Sequence, residues 1–152
     1  MARRTSATSR TARARRSPRA PATVTSPALA PRTAEVVLDL EVERGAVHLV
    51  LANCGDAVAT AIRVEFSRPL KGVGGTIDIS ALPVFHSLGV LRPARTLRLF
   101  WDAAHTLLAR EGDAEPFVAT VSWDEPARER QRAQYRHDPS IYRQWPERVE
   151  RD

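Results

Sequence analysis

The chain has 152 residues, 43% of them hydrophobic, and a formal net charge of +5 from 23 Lys and Arg against 18 Asp and Glu. Such a length fits one domain, and no apolar run reaches the roughly 18 residues that a membrane-spanning helix requires. The single cysteine, Cys54, excludes an internal disulfide and any cysteine-based zinc cluster.

The charge is unevenly placed. Residues 1–32 contain Arg3, Arg4, Arg10, Arg13, Arg15, Arg16, Arg19 and Arg32 and no acid, which amounts to +8, whereas the remaining residues hold 15 basic groups and 18 acids, or −3. Arginine supplies 22 of the 23 basic residues, a skew that, with the abundant alanine, fits a GC-rich genome, so number alone gives no single arginine a role. Residues 1–33 are almost entirely Ala, Arg, Ser, Thr and Pro, with Pro18, Pro21, Pro27 and Pro31 interrupting any helix. This composition cannot bury enough apolar surface to offset chain entropy, and a disordered tail is expected. No secretory or twin-arginine signal is expected, because Arg3 and Arg4 lead into Thr5-Ser6-Ala7-Thr8-Ser9-Arg10 and not into an apolar stretch. An organellar transit peptide would need an amphipathic helix that the prolines confine to the first turns. These features favour a cytoplasmic location over a secreted one. An arginine-rich segment free of acids would be attracted to phosphate backbones or anionic membrane surfaces, with salt-dependent affinity. It has no interleaved aromatics and no base-reading motif, so sequence-specific recognition is not implied. A merely solvating leader, or one upstream of a later true start, is the alternative.

From residue 34 the pattern alternates with period two, the mark of half-buried strands. In Glu35–Glu43, Val36, Leu38, Leu40 and Val42 share one face and acids dominate the other. Arg44-Gly45 turns the chain into Ala46–Asn53, with Val47, Leu49 and Leu51 inward, so the two strands form a hairpin. After the Asn53–Asp56 turn, Ile62, Val64 and Phe66 define a third strand that Pro69 ends. Lys71–Gly75 reads as a flexible loop and Thr76–Ile79 as a short edge strand. Ala81–Leu91 is too apolar for a solvated loop, and Pro83 and Gly89 deny it a long helix. A turn at Arg92–Arg95 precedes a strand over Thr96–Asp102, and Ala103–Arg110 is expected to form one or two helical turns capped by Asp102. Phe117–Asp124 is the strongest late strand, with Phe117, Ala119, Val121 and Trp123 on one side. Glu125–Ala127 turns into a charged, partly exposed final strand over Glu129–His137 that Tyr135 anchors. Asp138-Pro139 then caps a short C-terminal helix holding Ile141, Tyr142 and Trp145.

Some seven short strands with frequent turns and no long amphipathic helix predict an all-β antiparallel sandwich. Its expected bounds are residues 34–146, between the 1–33 tail and a frayed terminus at 147–152. Leu49–Phe66 resembles the strand–turn–strand signature of bacterial immunoglobulin-like domains of the cell-adhesion-related type. Asn53 and Gly55 match its Asn-x-Gly turn, Ala59 its small residue, and Ile62 and Val64 its next strand; Leu91-Arg92-Pro93 and Phe117–Trp123 fit the later arrangement. The layout is also similar to small actinobacterial proteins of unknown function. The resemblance implies an immunoglobulin-like sandwich with a binding or spacer role and no catalytic residue to carry over. For the turn itself, the residues suggest a need for positions that tolerate a left-handed backbone.

Most residues that could carry chemistry have a structural explanation. Cys54 lies in a turn without a neighbouring base to activate it. Asp102 and His105, spaced i, i+3, could pair as acid and base or as two metal ligands, but a capping Asp and a surface His explain them without a third ligand. His48, His86 and His137 fall in separate segments, and no nucleophile-elbow, zincin, Walker or dinucleotide-binding motif occurs. Trp101, Trp123, Tyr135, Tyr142 and Trp145 read as core and lid residues. The sequence therefore predicts a non-catalytic interaction or structural domain, with no metal or cofactor and a protein partner. Nonspecific binding of nucleic acid or an anionic surface through Arg3, Arg4, Arg10, Arg13, Arg15, Arg16 and Arg19 is the alternative. An enzyme assembled only on folding, from Cys54, Asp102 and His105, is the third.

Overall fold

The computed structural model describes residues 30–144. Over them the chain forms nine strands: β1 (Val36–Glu43), β2 (Ala46–Asn53), β3 (Ala59–Phe66), β4 (Lys71–Gly72), β5 (Ile77–Asp78), β6 (Leu88–Leu91), β7 (Thr96–Ala103), β8 (Phe117–Glu125) and β9 (Arg128–His137). A single α-helix, α1 (Ala104–Ala109), follows β7. The strands form a three-stranded sheet, β1-β2-β7, a four-stranded sheet, β6-β3-β8-β9, and the separate β4–β5 hairpin. Every pairing is antiparallel. The expected all-β antiparallel sandwich is what the chain forms.

The inward faces are the alternating apolar sets read from the sequence. Leu38, Leu49, Leu51, Ile62, Val64, Ala119 and Val121 are fully buried between the two main sheets. Trp101 lies edge-on to Phe117 at 5.7 Å, and Phe66 edge-on to Phe85 at 5.0 Å, arrangements that suit the ring quadrupoles. Trp101 also donates its indole N–H to the Lys71 carbonyl at 2.8 Å, so the largest core side chain leaves no polar atom unpaired.

Several local expectations change. Lys71-Gly72 is a strand and not a loop, because its backbone docks on β7: the Val73 amide donates to the Trp101 carbonyl at 3.0 Å. A Cβ on Gly72 would sit 2.7 Å from Ile79 Cγ1, so only glycine allows that approach. Ala81–Leu91 resolves into short 3-10 turns at Ile79–Ala81 and Pro83–Phe85, followed by edge strand β6. Pro139–Gln144 is 3-10 helical, with Asp138 Oδ1 accepting from the Ser140 amide at 3.0 Å; Trp145 lies outside the described residues.

One flank is closed by side chains in place of a ladder. β9 reaches across to β1, where the Tyr135 hydroxyl donates to the Val36 carbonyl at 2.9 Å and His137 Nε2 lies 2.9 Å from the Leu38 carbonyl. These bonds occupy edge acceptors on β1 that would otherwise face a foreign strand.

Candidate functional site

The Asn53-x-Gly55 turn is the first polar centre. Asn53 is 1% exposed, and its carboxamide is saturated. Oδ1 accepts from the Glu35 and Gly55 amides at 3.2 and 3.0 Å, while Nδ2 donates to the Ala57 and Leu91 carbonyls at 2.8 and 3.0 Å. One side chain thus ties the chain entering β1 to the β2–β3 turn and the end of β6. Gly55 is required for a reason other than the one expected. It is not among the residues of positive φ, and a Cβ there would meet the Thr33 carbonyl and lie 2.6 Å from the Glu35 nitrogen. The need is close backbone approach and not a left-handed turn.

Glu125, at the end of β8, is the second centre. Its buried carboxylate accepts from the Ala34 amide and from Arg128 Nε. Burial resists ionisation, but the bonds from Arg128 and the Ala34 N–H outweigh it and hold the carboxyl below its usual range. Thr33 donates to Asp56 Oδ1 at 2.8 Å, so residues 33–35 are fastened between the β2–β3 and β8–β9 turns.

Asp102 is the third. It does not cap α1, whose N-cap residue is Ala103 and makes no side-chain bond. The docked β4–β5 hairpin engages it instead. Asp102 Oδ2 accepts from the Gly74 amide at 3.1 Å and from Arg110 Nη1 at 2.7 Å, and Oδ1 accepts from the Ala103 amide at 2.8 Å. Arg110 continues to Asp113 and to the Lys71 carbonyl. Burial works against its charge, but the bonds it donates to Asp113 and Asp102 prevail and raise its pKa.

Cys54, Asp102 and His105 do not converge. Cys54 is exposed beyond the end of β2, whereas Asp102 pairs with Val47 at that strand's start. At about 3.3 Å per residue the two positions are some 20 Å apart. His105 is exposed on α1. Among the described residues no group of three or more His, Cys, Asp or Glu is arranged to hold a metal. No described helix is long and apolar enough to cross a membrane.

Among the described residues the indole N–H of buried Trp123 has no partner, and further charged side chains lie on the outer sheet faces. On the three-stranded sheet, β1 presents Asp39, Glu41 and Glu43, and Arg98 of β7 bridges Glu41 at 3.3 Å and Glu43 at 2.6 Å. On the four-stranded sheet, Arg130, Arg132, Gln134 and Arg136 alternate outward along β9. The register sets Arg132 beside Ser122, which pairs on its other side with Arg63, and Arg136 beside Val118. Arg130 bonds Asp124 at 2.9 Å and the carbonyl of Ala61, a β3 residue held at a φ of 48° in the bulge. Arg63, Arg132 and Arg136 make no hydrogen bond or ion pair among the described residues. The sequence held the signal for this surface in the Arg-x-Arg-x-Gln-x-Arg alternation of β9, but the net −3 of the folded part concealed it. Arg3, Arg4, Arg10, Arg13, Arg15, Arg16 and Arg19 lie outside the described residues, and Arg32 is exposed where the chain enters the sandwich.

Residues 3–143 match a family described as a domain of unknown function (DUF8453), and the chain belongs to that family. The matched span includes nearly all of the arginine-rich segment. No curated protein and no solved structure matches the chain.

Proposed function

We propose that this member of the DUF8453 family is a non-catalytic interaction module of immunoglobulin-like type. The observation that carries the reading is the division of labour among polar groups. Buried Asn53, Asp102 and Glu125 are all engaged in fastening strand ends, while Arg63, Arg132 and Arg136, whose side chains have no partner among the described residues, stand exposed on an outer sheet face. A site for bond chemistry needs a nucleophile, a base and an orienting group within hydrogen-bond reach of one another, and Cys54, Asp102 and His105 are spread apart; an interaction surface needs accessible groups.

The strand order supports the immunoglobulin-like type. In this reading β1, β2 and β7 would correspond to strands A, B and E, and β3, β8 and β9 to C, F and G. β6 adds to the C strand's edge and not to E's. The fold alone implies no activity. A cytoplasmic setting and a protein partner suit the module. Photo-crosslinking residues placed at Thr120 and Gln134 on one sheet face and at Val50 on the other, in cells that make the protein, test the reading. A discrete adduct from one face is expected, and adducts from neither face overturn it.

A second reading is nonspecific binding of nucleic acid or another anionic surface through the arginine-rich residues 1–32. It is favoured by the place where that segment joins the sandwich: Ala34 is held at Glu125 and Arg128, on the β8–β9 turn that leads directly to Arg130. Binding to random-sequence DNA that rises as salt falls, and disappears when residues 1–29 are deleted, is the expected result. Affinity that survives the deletion unchanged counts against it.

A further inference from the structure

The geometry points to the outer face of the four-stranded sheet as a contact surface for the phosphate backbone of duplex nucleic acid, acting beside the arginine-rich segment. The inference rests on the second reading above and extends it from the segment to the folded domain. Among the described residues Arg63, Arg132 and Arg136 are exposed and unpaired on this face, and Glu65 is its one carboxylate without an arginine partner, because Asp124 is taken by Arg130. Thr120 and Ser122 of the central strand lie between the arginines, where their hydroxyl oxygens accept from Gln134 at 3.3 Å and Arg130 at 3.0 Å and their hydroxyl hydrogens can still be donated. Arg130 to Arg136 spans about 20 Å along β9, and Arg132 to Arg63 about 10 Å across β8. A footprint 20 Å long covers about six phosphate steps of one DNA strand at 3.4 Å each. Beside Arg136 a shallow cleft of about 100 Å³, lined by Ser67, Pro116, Phe117 and Val118, adds a concavity at the end of the same row.

The composition of the face selects the partner. It carries no aromatic side chain on which an unpaired base could stack, which disfavours single strands. Its one large exposed apolar side chain among the described residues, Val90 on edge strand β6, is not one of the Trp, Phe or Leu residues that insert into a bilayer interface. What it offers is charge and hydroxyls on a twisted surface, the means of sequence-independent backbone contact. The opposite face, with Asp39, Glu41 and Glu43, is repelled by phosphate, so the domain would approach a duplex in one orientation.

The test uses the full chain, the chain lacking residues 1–29, and the variant Arg63→Gln/Arg132→Gln/Arg136→Gln, with an unchanged urea midpoint showing that the variant folds. Binding is titrated against salt with a 30-base-pair random duplex, a single strand of equal length, phosphatidylserine vesicles and polyglutamate. The triple variant should lower the slope of log affinity against log salt by about 2.7 on the duplex, from three lost phosphate contacts at 0.9 each. An unchanged slope, with binding lost only on deleting residues 1–29, overturns the inference and leaves the second reading standing. No binding of the full chain to any of the four probes overturns both. A loss confined to vesicles, single strand or polyglutamate rejects the duplex as partner.

Discussion

Replacing Asn53 with alanine should be among the most damaging single changes in the sandwich. Its carboxamide makes four hydrogen bonds, to Glu35, Gly55, Ala57 and Leu91. At a net of about 1 kcal/mol each, their loss comes to about 4 kcal/mol. Water can reach the part-buried Glu35, Gly55 and Ala57 groups and recover some of this, while the Leu91 carbonyl, bonded in a buried position, adds a desolvation penalty of about 1–3 kcal/mol. A net of about 3–5 kcal/mol is a large share of a domain's stability and corresponds to a fall in Tm of about 15 °C for a chain of this size. Asn53→Asp sharpens the test. It keeps an acceptor toward the two amides but turns a second oxygen, with a negative charge, toward two carbonyls, so at pH 7 it should destabilise at least as much as alanine. Urea unfolding followed by the fluorescence of buried Trp101 and Trp123 gives both numbers. A cost below about 1 kcal/mol for Asn53→Ala, or an Asp variant clearly more stable than the Ala variant, would refute the assignment of Asn53 as a four-way tie.

Three further outcomes follow from the same geometry. Gly55→Ala should cost about 2 kcal/mol or more, since rigid backbone must move, whereas Gly89→Ala, with open space around its Cβ, should change stability by less than about 1 kcal/mol; equal melting temperatures for the two contradict the close-approach argument. Because the folded-state pKa of Glu125 lies below its unfolded value of 4.5, its contribution is complete above that pH and is lost as pH falls through the folded value. Glu125→Gln should therefore flatten the acid limb of a stability-against-pH curve, and a limb of unaltered slope would rule out the assignment. Asp102→Ala removes the acceptor of the Gly74 amide, so hydrogen exchange at Gly74 should accelerate while β8 amides stay protected; uniform acceleration would mean that the network holds the whole sandwich and not the hairpin.

The elements legible in the sequence were those whose burial is periodic. Val36 to Val42, Val47 to Leu51 and Phe117 to Trp123 each declare a face without reference to any other segment. What could not be read depends on contacts between distant segments. Lys71-Gly72 has no strand pattern and becomes a strand because Trp101 lies beside it. Asp102 looks like a cap until the hairpin presents the Gly74 amide. Gly55 looks like a turn former until Thr33 and Glu35 pass over it. The arginines of β9 alternate visibly, but Arg63 joins them only through the β3–β8–β9 register.

The bridge from β9 to β1 also sets a timetable for synthesis. Tyr135 and His137 each lie 99 residues downstream of the carbonyl they reach. At a ribosomal rate of about 5–20 residues per second, the β1 edge waits some 5–20 s for its cover. Through that interval the emerging hairpin has an open margin, and Asp39, Glu41 and Glu43 stand along it as like charges that repel a neighbouring nascent copy. The acidic row thus guards the growing chain before the last strand arrives to do so.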